Sequence, residues 1–180
     1  AGERENIKAE GTEENAEVKA YAKELADRVI AIENDISLDP VLNIAISETS
    51  LTADNPVLIL ATREGIVDPV ATKNGSDVTI ITEVGYMELG NKIGVALIPG
   101  EIAPEILWVG FVSANEIWTN SSWDFAPMEE TAKVEKLLCF GLSNDQIGYI
   151  LPDNDIHSMF TENEEITASS TKAGSVITSA

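Results

Sequence analysis

One histidine and one cysteine in 180 residues leave this chain short of the side chains that commonly move protons, hold metals or attack carbonyls. Cys139 has no partner for an internal disulfide. Inside Leu137-Leu138-Cys139-Phe140 it reads as a small packed residue and not as a nucleophile. Basic residues are scarce as well: 11 Lys and Arg against 31 Asp and Glu give a net charge of -20. That field repels a phosphate backbone and argues against nucleic acid as a partner. No apolar run approaches the roughly 20 residues of a membrane-spanning helix. The charged start Ala1-Gly2-Glu3-Arg4-Glu5 carries no apolar signal core. There is no internal repeat.

What is present suffices for a core. Hydrophobic residues make up 44% of the chain, enough for one domain at this length. The pattern predicts a flexible segment over residues 1–12, a single α/β domain over 13–160, and an extended or mobile Thr/Ser/Glu-rich tail over 161–180. Thr12 is placed to cap a helix over 13–33, with Glu13 and Glu14 in its first turn and Val18, Tyr21, Leu25, Val29 and Ile32 in one apolar stripe. Asn34-Asp35 ends it. Leu42, Ile44 and Ile46 alternate as in a strand, and Asp54-Asn55-Pro56 opens a helix over 56–64 that stops at Gly65. Asn74-Gly75 marks a turn. Residues 77–89 and 93–98 read as a hairpin around Gly90-Asn91, whose second strand is apolar on both faces and therefore belongs inside a sheet.

Beyond the hairpin, residues 101–109 suggest a helix with Pro104 in its first turn. Residues 113–130, with Trp118, Trp123 and Phe125, suggest an ordered loop or insertion whose aromatics either pack a core or lid or line a pocket. Residues 133–140 suggest another strand. The expected fold is α/β, a mixed sheet of about four to five strands packed by helices, with the 13–33 helix over one face and an irregular C-terminal tail.

Two segments carry the chemistry. Ile98-Pro99-Gly100-Glu101 and Gly141-Leu142-Ser143-Asn144-Asp145-Gln146-Ile147-Gly148-Tyr149 each end an apolar run, and strand ends are where α/β folds build their sites. Glu101 has two readings, a ligand or the first-turn acid of a helix. Tyr149 is either a ligand or a half-buried strand-end tyrosine. Asn144-Asp145 also suits a helix N-cap. His157, in a polar stretch, reads as a surface residue. Asp153-Asn154-Asp155 matches a few positions of a calcium loop but lacks its glycine and terminal glutamate.

The hairpin Glu83-Val84-Gly85-Tyr86-Met87-Glu88-Leu89-Gly90-Asn91, then Ala96-Leu97-Ile98-Pro99-Gly100-Glu101, then Gly141-Leu142-Ser143-Asn144 and Gly148-Tyr149, resembles the neutral/alkaline (non-lysosomal) ceramidase family. The likeness covers residues 78–171 and corresponds to the C-terminal half of that catalytic domain. It implies a secreted zinc amidohydrolase that cleaves a lipid-like N-acyl amide. Glu101 and Tyr149 would be metal ligands, Gly100 would let backbone approach the metal centre, and Asn144 would orient a ligand. In the family two zinc histidines and a serine nucleophile lie upstream, whereas the 100 residues before Glu101 hold no histidine. The resemblance therefore implies a partial or divergent hydrolase, inactive as this chain alone, whose catalytic groups would come from an upstream half of the same domain or from a second copy. The alternative is a non-catalytic acidic α/β module for binding or assembly.

Overall fold

The β-branched run Asp77–Leu89 forms one long strand (β3), the axis of the fold. Here the structure is a computed structural model, which describes residues 15–33, 37–108, 122–156 and 164–180. The expectations for Thr12, Glu13, Glu14, Asn34-Asp35, Trp118 and His157 fall outside those residues. At the end of β3 the chain reverses through Gly90 and Asn91, with φ of 58° and 57°, the left-handed pair that suits the twist of a tight hairpin. The Lys92 N–H donates to the Leu89 carbonyl at 3.1 Å and closes the turn. The return strand is Ile93–Leu97 (β4), in register from Leu89↔Ile93 to Gly85↔Leu97.

One edge of β3 carries Leu42–Thr52 (β1), antiparallel from Leu42↔Leu89 to Thr52↔Thr79. The other edge is shared by β4 and by Ala71–Asn74 (β2), a short strand joined to β3 by a turn at Gly75. Lys136–Phe140 (β6) then adds to β4 in parallel. The result is a mixed five-stranded sheet in the order β1-β3-β4-β6, with β2 beside β3. β4 has a neighbour on each side, and Gly94, Val95 and Ala96 are buried, as its two apolar faces require.

The helices are short. Pro56–Arg63 (α2) begins at the cap Asn55 with Pro56 in its first turn. It ends at Gly65, where the Ile66 N–H closes back on the Ala61 carbonyl at 2.9 Å. Pro104–Leu107 (α3), Met128–Thr131 (α4) and Ala173–Ser179 (α5) complete the set. Leu51, Val78, Ile80, Ile98, Ile106, Ile150 and Ile177 make the core. Trp123 packs against it, 4.9 Å from the Phe125 ring. Among the described residues no helix is long and apolar enough to cross a membrane.

The chain divides into two compact units, Ala1–Ser37 and Leu38–Ala180. In the first, Ala16–Ile30 (α1) is helical and carries two exposed ion pairs four residues apart, Lys23–Asp27 and Glu24–Arg28. None of its residues is buried. Along α1 the apolar stripe of Val18, Leu25 and Val29 is exposed. Periodicity reports amphipathicity and not burial.

Three further expectations give way in the second unit. Glu101–Ile102 is a strand (β5), and the helix expected over residues 101–109 shrinks to α3, so Glu101 is not a first-turn acid. No helix follows Asn144-Asp145, because the Ile147 N–H goes to the Pro99 carbonyl at 2.8 Å. The tail is not irregular: Glu164–Thr167 forms a 3₁₀ turn and α5 follows. Its small residues Ala168, Ser169, Ser170 and Ala173 are buried, a packing that leaves no hydrophobic periodicity to read.

Candidate functional site

The two singled-out segments meet. β5 pairs in parallel with Tyr149–Ile150 (β7), and the register places Glu101 opposite Tyr149. Backbone bonds hold the pairing: the Glu101 N–H donates to the Gly148 carbonyl at 3.1 Å and the Ala103 N–H to the Ile150 carbonyl at 2.9 Å. Earlier in the same seam the Ser143 N–H donates to the Ile98 carbonyl at 2.9 Å. Residues 98–103 therefore run alongside residues 140–150, and the stretch between β6 and β7 is a loop folded onto the seam. That loop holds Leu142 and Asn144 in the left-handed region, with φ of 55° and 67°. For Leu142 this conformation is costly.

Glycine is required where the layers touch. A Cβ on Gly100 would overlap the Gly148 carbonyl oxygen, and a Cβ on Gly148 would overlap that of Thr167. Gly148 also has a φ of 89°, which only glycine adopts at ease. Three backbone segments, around residues 100, 148 and 167, thus stack with no side chain between them. The Ser169 hydroxyl donates to the Ile147 carbonyl and ties the third layer to the second.

Beside this stack lies a cavity of about 450 Å³. Its apolar walls are Leu58 from α2, Val67, Pro69, Ile80 and Ile147. Its polar residues include Glu101, Asp145, Gln146, Tyr149, Thr167 and Ser169, with Thr62 on the α2 side. Glu101 is exposed, while Asp145 and Tyr149 are half-buried. The Asp145 carboxylate accepts from the Gln146 N–H at 2.8 Å. Two carboxylates and a phenol therefore share one hollow with an apolar side, suited to a ligand with a polar head and a hydrocarbon body.

Of the residues singled out from sequence, Glu101 and Tyr149 line the cavity, Gly100 lies buried in the stack below them, and Asn144 is exposed on the loop outside the lining. Asp145, Thr167 and Ser169 were not singled out. Asp145 adjoins Asn144 and was read only as a helix cap. Thr167 and Ser169 lie in the segment expected to be mobile. Asp153, read against a calcium loop, instead accepts from the Ser175 N–H at 3.0 Å and pairs with Lys172 at 3.2 Å, which fastens the start of α5.

As a zinc site the set is short. Carboxylate and phenol oxygens are suitable ligands in kind. Among the described residues, however, no group of three His, Cys, Asp or Glu could hold a metal. Glu101 and Tyr149 are two residues of suitable kind and not a full ligand set, so no catalytic step through a metal follows from them. Cys139 packs against the core, where burial pushes its thiol above the usual range. No family model, curated protein or solved structure matches this chain.

Proposed function

We propose that this chain supplies the Glu101–Tyr149 part of a metal-assisted amidohydrolase site for a lipid-like N-acyl amide. The observation that carries the reading is the register pairing of Glu101 with Tyr149 beside one cavity. A carboxylate and a phenol brought together from separate segments are the two ligands that the sequence resemblance implies. The apolar walls suit a hydrocarbon chain, and Asp145 adds a second carboxylate at the polar end. When bound, a metal there supplies Lewis-acid polarisation of the amide carbonyl. The chain's own part is to set the Glu101 and Tyr149 backbones side by side through main-chain bonds. Ligands that complete the set come from outside the described residues or from a second polypeptide.

The test measures zinc binding, and hydrolysis of a fluorogenic N-acyl amide, for this chain and for the longest gene product that carries it. Glu101→Gln and Tyr149→Phe are each expected to lower zinc affinity of the longer product about 100-fold and to remove turnover. Wild-type zinc affinity and turnover in both variants would overturn the reading.

A second reading is supported by the missing third ligand among the described residues: an acidic module that binds the amide lipid without cleaving it. It predicts that the amide probe binds with an affinity indifferent to zinc and is recovered intact.

A further inference from the structure

One side chain reaches two walls of the cavity without entering it. Asn55 has 0% exposure and is not among the lining residues. Its Oδ1 accepts from the Val57 N–H at 3.0 Å and the Leu58 N–H at 3.3 Å. Its Nδ2 donates to the Ile166 carbonyl at 2.9 Å and to the Ala168 carbonyl at 2.8 Å. The amide's two hydrogens and both lone pairs of its oxygen are thereby engaged. Leu58 lines the cavity from α2, and Thr167, between the two carbonyls, lines it from residues 166–171.

Neighbouring bonds reinforce the same junction. The Ser169 carbonyl accepts from the Asp54 and Asn55 N–H groups at 3.2 and 3.4 Å. The Asp54 carboxylate accepts from the Thr171 N–H at 3.0 Å and the Thr171 hydroxyl at 2.5 Å. Residues 166–171 are thus a strap clasped at both ends, with its middle pressed on Gly148.

We propose that Asn55 is the positioning residue of this site: it clamps the strap to α2 and so sets where Thr167 and Ser169 stand relative to Glu101 and Tyr149. Ser, Asp and Asn cap a helix about equally well. Of the three, Asn alone also offers an NH₂ group to two carbonyls. An N-cap role by itself would make the three residues interchangeable here, whereas clamping demands Asn. The inference rests on the proposed function only for its ligand readout.

Two substitutions on the whole chain separate the roles. Asn55→Ser keeps the cap and removes the clamp. Asn55→Asp keeps the cap and turns a carboxylate oxygen toward two carbonyl oxygens. Amide exchange followed by NMR is expected to quicken about tenfold or more in Asn55→Ser at Asp54, residue 55 and Thr171, since two buried hydrogen bonds are lost. The Gly148 and Tyr149 amide signals shift, while α2 and β3 keep wild-type protection. Asn55→Asp, if folded, loosens the strap further. Wild-type exchange at Thr171 with unmoved Gly148 and Tyr149 signals would overturn the inference, and so would equal loosening of β3. A fluorescent N-acyl amide is expected to bind Asn55→Ser about tenfold more weakly than the wild type. Failure of the wild type to bind that probe counts against the proposed function and leaves the exchange result to decide the role of Asn55.

Discussion

Glu101 and Tyr149 are register partners in a parallel two-strand pairing, although all of β6 and the loop after it lie between them in the chain. Their spacing is set by main-chain bonds and not by side-chain preference. Gly100 and Gly148 are what let the two backbones approach closely enough to make those bonds.

Gly148 is the most constrained point of the stack. Gly148→Ala adds a Cβ onto the Thr167 carbonyl at a φ of 89°, so the strap must move or the strand pairing must break. The expected loss is about 2–4 kcal/mol, read from the urea midpoint. Gly75→Ala is the control. Its φ of 59° is also left-handed, but its surroundings are open. It should cost only about 1–2 kcal/mol.

Leu142 carries strain and is tied to the seam, its N–H donating to the Gly100 carbonyl at 3.1 Å, a bond that glycine at this position would keep. It is exposed and left-handed, with a φ of 55°. Leu142→Gly is expected to raise stability by about 0.5–1 kcal/mol, the relieved strain exceeding the added freedom of the unfolded chain. Thermal unfolding checks it. A fall in stability would show that the side chain packs on something the loop geometry does not reveal.

Two buried hydroxyl groups on the core side of β3, those of Thr82 and Tyr86, have no hydrogen-bond partner among the described residues. Thr82→Val should gain about 1 kcal/mol by removing an unsatisfied group at constant shape. Burial, and then the nearby Glu88, push the Tyr86 phenol above its ordinary value of 10.0. The unfolded chain therefore releases this proton first. The stabilisation is whole below the unfolded value and is lost as pH rises through the folded one. Denaturant midpoints of wild type and Tyr86→Phe at neutral and strongly alkaline pH should differ accordingly, with the variant losing less on the alkaline side.

Cys139 should be a slow thiol. Its pKa is raised by burial, so at mildly alkaline pH less thiolate forms than on a free cysteine. Alkylation by iodoacetamide at pH 8 is expected to be slow in the folded chain and to reach the rate of a free thiol in urea. Rapid labelling without denaturant would contradict the packing of Cys139 against the core.

Much of the sheet was legible. Residues 77–98 read as a hairpin because Gly90-Asn91 is a strong local turn signal between two β-branched runs, and the structure builds its sheet on that hairpin. The start of α2 was legible for the same reason: Asn55 and Pro56 declare a helix start whatever surrounds them. β2 was missed because four residues of mixed polarity carry no alternation. The strap and α5 were missed because Ala, Ser and Gly residues bury through close approach and hydrogen bonds, which leave no hydrophobic stripe. β5 was taken for helix because its conformation answers to Gly148 and Ile150, partners that local propensity cannot see.

By itself, then, the sequence determined what short-range chemistry decides: the acidic surface, the hairpin, the cap at Asn55, and glycines at 100 and 148 with a carboxylate and a phenol next in line. Only the tertiary structure decided that Glu101 meets Tyr149, that Asp145 joins them, and that residues 166–171 close the wall. Those facts depend on which distant backbone groups find one another, and such pairings are selected by the whole packed core and not by any residue's neighbours in the chain.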